Sequence, residues 1–319
     1  MRVRVPATSA NLGSAFDCAG LALEVYNEVA LAIGDRDSVE VEGEGAGELG
    51  LGPDNLVVAA ARRLYEETGE PPPRFRVAMR NAIPLGRGLG SSSAAIVAGL
   101  VGANFLLGSP YGDDDLLRHA VAIEGHGDNV AAALLGGLTL YADGDRGGTA
   151  LRLPVPTGLR AIVYVPDDRV PTKAARAALP ASVPRSDALF NVARSALLVA
   201  ALGCGKLEAL RPAMEDRLHQ PYRAALYPAA AALIEAALDA GALGSAVSGA
   251  GPSVIALVSE DGCGRVREAL ELCARSHGLA GRTLAAGIAR RGALVIRASG
   301  SSQIRGGHVT MTRKPVNLA

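Results

Sequence analysis

Tryptophan is absent from this 319-residue chain, and lysine is nearly so: Lys173, Lys206 and Lys314 are the only three. The basic side is therefore almost all arginine. With 32 Lys and Arg against 32 Asp and Glu, the formal net charge is +0, which leaves no basic footprint for nucleic acid or an anionic membrane. Cys18, Cys204, Cys263 and Cys273 are scattered with no C-x-x-C pair, arguing against a disulfide framework and fitting a reducing cytoplasm. The five histidines include no pair at ligand spacing, so a zinc set is not expected. No uncharged apolar run reaches the ~18 residues that span a bilayer, and the opening MRVRVPATSANLG has no signal-like apolar core. A cytoplasmic protein without a membrane partner is expected.

What is present is a chain 49% hydrophobic and 20% charged, long enough to fill two cores. Alternation predicts strands over 2–6, 26–33, 37–44 and 75–80. Spacing of three and four predicts a helix over 55–68, stopped by Pro71, Pro72 and Pro73. A helix over 94–107 is apolar nearly all round and so belongs inside. Another, 113–123, ends at EGHGDNV, before a strand over 134–141 and a turn at 144–148. Proline and glycine in PVPTG, residues 154–158, mark a boundary. Beyond it the pattern predicts a strand at 160–165, helices at 172–179, 186–202, 206–218, 228–240 and 264–277, and a last strand at 293–297. Strands and helices interleaved this way predict an α+β protein, divided into domains 1–155 and 156–297, with 298–319 a mobile tail.

Five constellations carry chemistry. One is the loop TSANLGSAFDCAG, where Asn11 and Asp17 stand six apart and Asp17 either pairs with a substrate ammonium or is an ordinary exposed loop aspartate. PLGRGLGSSSAA, residues 84–95, alternates glycine with bulkier residues and then enters the apolar helix. Glycines allow close backbone approach and a helix N-terminus attracts anions, so the stretch reads either as a phosphate cradle or as a flexible turn capping a buried helix. It is not a Walker loop, which needs a lysine. SGAGPS, residues 248–253, is a second small-residue turn, a tight hairpin or a facing loop. Glu124, His126, Asp128 and Asn129 crowd one segment, as a metal or substrate site or as solvated charges at a helix end. Arg176, Arg194 and Arg223 are forks suited to carboxylates and phosphates, or surface charges.

Taken in order, SANLGSAFDCAG, PLGRGLGSSSAA and SAVSGAGPS resemble the three signature motifs of the GHMP kinase superfamily, over about residues 1–297. The resemblance implies a two-domain α+β fold, the N-terminal domain with a left-handed βαβ crossover and the C-terminal one a ferredoxin-like α/β sandwich. It implies ATP held by Pro84, Leu85, Gly86, Arg87, Gly88, Leu89, Gly90, Ser91, Ser92, Ser93 and Ala94, with Ser248 and Gly249 facing them and Asn55 near the adenine. It further implies Mg²⁺ at Ser92 and Glu124, and Thr172 near the γ-phosphate. The pieces EGHGDNVAAALLGG, TKAARAALP and QPYRAALYP point to L-homoserine as the small-molecule substrate, held by Asn11, Asp17, His126, Asp128, Arg176 and Arg223. Family analogy adds a homodimer.

Asn129 stands where mevalonate-type relatives carry an aspartate. An amide accepts no proton at neutral pH, so transfer without a dedicated general base is expected. Arg87 departs from the small residue many relatives have; it either adds a cation beside the phosphates or faces solvent. A kinase for another small alcohol, such as mevalonate, and a non-catalytic ligand sensor are the alternatives.

Overall fold

A computed structural model describes residues 1–144 and 148–296. The middle of the expected turn at 144–148, the end of the expected strand at 293–297 and the tail 298–319 lie outside the described residues.

The first sheet grows from β1 (Arg2–Ala10) and β2 (Ala19–Gly34), antiparallel from Arg2↔Ala30 to Ala10↔Gly20. Register shifts between Pro6 and Ala7, where proline offers no ladder N–H. β2 outruns the predicted 26–33 because Ala19–Leu23 is buried on both faces and so shows no alternation. β3 (Ser38–Gly43), α1 (Leu56–Glu67) and β4 (Arg74–Asn81) make a βαβ unit with β3 and β4 parallel. β4 alternates exposed and buried residues, turning Phe75, Val77, Met79 and Asn81 inward. Asn55 caps α1 through Oδ1, which accepts from the Val57 amide at 3.0 Å.

α2 (Ser91–Leu106) is the buried helix that the apolar stretch predicts. After α3 (Asp113–Glu124) the chain departs from expectation: EGHGDNV opens α4 (Asp128–Leu135), and the strand follows only at β5 (Leu138–Ala142). The apolar run Val130–Leu135 is too short for its period to distinguish strand from helix; Gly136 and Gly137, both at positive φ, then end the helix. β6 (Thr149–Leu153) pairs with β5.

The second sheet follows β7 (Leu159–Pro166), α5 (Thr172–Ala177), α6 (Arg185–Cys204), the single turns α7 (Leu210–Ala213) and α8 (Gln220–Arg223), α9 (Ala230–Asp239), β8 (Gly244–Val247), β9 (Val254–Ser259), α10 (Cys263–Ser276) and β10 (Gly281–Gly287). Its order is β10-β7-β9-β8, antiparallel throughout, the βαββαβ wiring of a ferredoxin-like sandwich. α9 and α10 cover it through a core that includes Leu233, Val266 and Leu270.

Two expectations in this half are corrected. The helix over 206–218 is only a 3₁₀ turn and α7, because the Asp216 carboxylate draws the amides of Leu218, His219 and Gln220 around itself and competes with helical bonding. β10, an edge strand of mostly small residues, was not foreseen. The last strand, β11 (Leu294–Ile296), pairs with β1 in the first sheet rather than with the second.

By length and composition α6 is apolar enough to cross a membrane. In the fold it is a domain wall. Asn191, Leu198, Ala201 and Leu202 are buried, and the Asn191 amide donates to Ser14 O at 2.9 Å.

Candidate active site

The two sheets meet at one cleft of about 380 Å³. Its floor is the loop entering α2. Gly88 and Gly90 sit at φ 73° and 69°, and a Cβ on either would collide, with Ser248 O and with Thr8 Oγ1 respectively; only glycine fits both demands. The loop is pinned from both sides. Thr8 N donates to Leu89 O at 3.0 Å, and Ser248 Oγ donates to Gly88 O at 2.7 Å. The open N-terminus of α2 thus faces the cleft from a fixed position, because its body is locked in the core.

Arg87 is not among the residues that line the cleft, and its side chain is engaged with backbone instead. Its guanidinium donates to the carbonyls of Pro166 (2.6 Å), Asp167 (2.7 Å) and Leu85 (3.2 Å), and Val170 N returns a bond to Gly86 O at 3.3 Å. Arg87 is a clamp that ties the glycine loop to the segment after β7. Of the other expected nucleotide residues, Pro84, Ala94 and Ser248 lie behind the wall, whereas Leu85, Gly86, Leu89, Ser91 and Gly249 line it.

The acidic segment closes one side. Glu124 Oε1 accepts from Ser92 Oγ at 2.6 Å and Ser93 Oγ at 2.8 Å. His126 lies between carboxylates, with Nδ1 2.7 Å from Asp128 Oδ1 and Nε2 3.9 Å from Glu124 Oε1. Asp128 Oδ1 also accepts from the Asn129 amide at 2.7 Å, while Asn129 Oδ1 accepts from Thr8 Oγ1 at 2.7 Å. Burial pulls the His126 pKa down, but the Asp128 hydrogen bond and the two carboxylate charges outweigh it and leave it raised above 6.5. A raised histidine stabilises the fold fully below its ordinary pKa and loses that contribution as pH rises through the raised value. The Tm advantage of wild type over His126→Gln should therefore shrink as pH is raised from about 5.5 to about 8.5; a constant advantage would contradict this placement.

The remaining amino-acid candidates line the same cleft. Asn11, in the left-handed region at φ 70°, is buried; its amide donates to Gly249 O at 2.8 Å and its Oδ1 accepts from Asp17 N at 3.0 Å. Asp17 and Arg176 form a two-pronged ion pair at 2.8 and 2.9 Å. Arg223 is 1% exposed and, among the described residues, makes no salt bridge. Burial lowers its pKa from the usual arginine value, yet arginine stays charged in proteins. Nearby Tyr227, its phenol pushed up to about 12 by burial, is neutral and supplies no counter-charge. Thr172 opens α5 and lines the cleft beside Arg176.

A third compartment is apolar and was only touched by the sequence reading. Leu49, Leu56, Met79 and Leu85 face each other there. Asn55 lines it too, with its Nδ2 already donating to Gly50 O at 3.0 Å. Asn81, from the inward face of β4, is buried on this wall, and its Oδ1 has no partner among the described residues. The alternation of β4 was legible, but nothing in it marked Asn81 as more than a strand end. Arg194, by contrast, pairs with Glu215 and lies over the Phe190 ring, away from the cleft.

A glycine loop at the N-terminus of a buried helix, sharing one cleft with Arg176 and Arg223 between a βαβ-containing sheet and a ferredoxin-like sheet, is a layout that suits a small-molecule phosphotransferase. The chain belongs to the GHMP kinase family: the GHMP kinases N terminal domain matches residues 55–137 and the GHMP kinases C terminal domain matches residues 193–273. It is 47% identical to the homoserine kinase of Thermus thermophilus over 287 residues, 90% of this chain and 96% of the relative. To that of Moorella thermoacetica it is 44% identical over 254 residues, 80% and 86% of the two. The crystal structure of homoserine kinase from Cytophaga hutchinsonii superposes with a TM-score of 0.84 at 32% identity, covering 93% of this chain and 97% of that one.

Proposed function

We propose that the chain transfers the γ-phosphoryl group of ATP to the side-chain hydroxyl of L-homoserine, giving O-phospho-L-homoserine for threonine biosynthesis in the cytoplasm. The observation that carries the reading is Arg223, a buried cation lining the cleft that, among the described residues, has no carboxylate within salt-bridge distance, Asp17 and Asp216 acting on it only from farther away. A buried charge is costly until an anion meets it. The substrate's α-carboxylate is that anion, shared with Arg176. Its ammonium goes to Asp17, so the zwitterion replaces each partner of the Asp17–Arg176 ion pair with an equivalent charge. Mevalonate has no ammonium for Asp17.

ATP lies with its phosphates on the α2 N-terminus and its base in the apolar compartment, where the unpartnered Asn81 Oδ1 offers an acceptor to the exocyclic amine. Ser92 and Glu124 fit Mg²⁺: they are hard oxygen donors beside the phosphates, and an ion that takes its other ligands from phosphate and water needs no larger set. Among the described residues there is none. When bound, the ion offsets charge on the β- and γ-phosphates.

The chain's own contribution is positioning and charge, which is most of what phosphoryl transfer requires. Asn129 cannot take the hydroxyl proton. Asp128 borders the cleft, but its Oδ1 already serves His126 and the Asn129 amide, so we assign no protein base and leave the proton to the transferring phosphate or solvent. We also propose a domain boundary at residue 155, with β11 returning to the first domain.

The test is ADP release with homoserine, mevalonate, galactose and serine, repeated on Asn129 variants. Homoserine should be strongly preferred, and Asn129→Asp should not raise turnover. Turnover raised by Asn129→Asp with a new acidic limb in its pH profile would overturn the base-free reading, and a preference for mevalonate would overturn the substrate.

A further inference from the structure

The neighbours that hold Arg223 are as unusual as its lack, among the described residues, of a direct salt bridge. Its Nε donates to Ala175 O at 3.0 Å, and its NH1 reaches His219 Nδ1 at 3.2 Å. Both partners are uncharged. The tautomer of His219 follows from its two bonds: Gly13 O, 2.9 Å from Nε2, can only accept, and the guanidinium can only donate. Nε2 therefore carries the hydrogen and Nδ1 the lone pair. A second ring proton would set N–H against N–H, and with the ring fully buried the pKa is driven below 6.5.

Asp216 is the nearest carboxylate to the ring, 3.5 Å from Nε2. Its oxygens are already taken by Asn191 Nδ2 and by the amides of Leu218, His219 and Gln220, at 2.7 to 3.1 Å. The ring is fixed on its face by Phe16, stacked at 5.1 Å, and the same Phe16 ring lies 5.3 Å from Arg223 Cζ. Gly13 and Phe16 belong to the N-terminal loop that carries Asn11 and Asp17. His219 thus spans from that loop to the arginine.

We propose that His219 is a positioning residue for carboxylate recognition, a neutral acceptor that aims the Arg223 fork into the cleft without cancelling its charge. An aspartate or glutamate there would aim the fork as well but would neutralise it and compete with the substrate. The inference rests on the reading that Arg223 receives the substrate's carboxylate.

The two ring nitrogens can be tested separately. Asparagine places its Oδ1 where Nδ1 stands and keeps the acceptor; glutamine places its amide nitrogen where Nε2 stands and keeps only the tie to Gly13. Loss of a hydrogen bond to a charged group predicts a KM for L-homoserine raised roughly ten- to a hundredfold in His219→Gln, with kcat and the KM for ATP little moved. His219→Asn should recover most of that loss. With 3-aminopropan-1-ol, the same acceptor without its carboxylate, His219→Gln and wild type should have the same kcat/KM.

An equal loss with both acceptors, or no recovery by His219→Asn, would reduce His219 to a structural residue and overturn the proposal. Arg223→Met keeps the two readings apart. If it leaves the homoserine KM unchanged, the carboxylate reading itself fails. If it raises that KM while His219→Gln does not, the proposal on His219 fails alone.

Discussion

Arg223→Met is expected to raise the KM for L-homoserine by roughly 10²- to 10³-fold, the range for removing one member of a desolvated charge pair. Two features place it there. The guanidinium is 1% exposed, so water screens little of its attraction for a carboxylate. It is also already oriented by Ala175 O and His219, so binding costs little ordering of the side chain. Methionine keeps most of the volume and removes a buried charge but leaves Ala175 O and His219 Nδ1 without their donor, so a moderate loss of stability is expected and has to be measured beside the kinetics. Arg223→Lys should not rescue, because an ammonium cannot hold both neighbours and still present a fork. Steady-state kinetics against homoserine, with thermal melting alongside, check this; a KM changed less than threefold would place the carboxylate elsewhere.

The second large effect is expected at Glu124. Its Oε1 collects the hydroxyls of Ser92 and Ser93 at the mouth of the glycine loop, holding a negative charge next to the phosphates of a bound nucleotide. On the proposed placement of the phosphates that charge would repel ATP unless an ion lay between them, and this is why Glu124 is proposed as a partner for Mg²⁺. Glu124→Gln preserves shape and both hydroxyl bonds while removing the charge. It should lower kcat roughly 10²- to 10³-fold, the cost typical of losing one electrostatic element of the transition-state site, and shift the Mg²⁺ dependence of the rate to higher concentration. Homoserine KM should move less, since Glu124 makes no hydrogen bond to Asp17, Arg176 or Arg223 and reaches Arg176 only through its charge. Turnover within threefold of wild type with an unchanged Mg²⁺ profile would take Glu124 out of the metal site. Alanine would be a poorer probe, because it also removes the oxygen that accepts from the Ser92 and Ser93 hydroxyls.

How much of this was readable beforehand depended on how local the cause was. The glycine loop was legible because its chemistry is written in consecutive residues, and the buried helix behind it because α2 is apolar on every side. The segment 128–135 was misread as a helix end running into a strand, since eight residues give too few turns to reveal a period. Arg87 looked like a phosphate ligand by position alone. Its use depends on the Pro166 and Asp167 carbonyls, which lie 79 and 80 residues away in sequence. His219 left no periodic or motif signal of its own, because Gly13, the partner that fixes its tautomer, lies 206 residues away in sequence. Its place just upstream of Arg223 in HQPYRAAL was the one clue. Asn81 was hidden for a similar reason, a polar residue on the inward face of a strand being visible only once the burial pattern is known.

The most direct test of the central reading is the identity of the product. With ATP, Mg²⁺ and L-homoserine, ³¹P NMR should show a phosphomonoester growing in step with ADP and matching O-phospho-L-homoserine, with no matching release of inorganic phosphate. Inorganic phosphate alone, or no turnover with homoserine while mevalonate is phosphorylated, would contradict it.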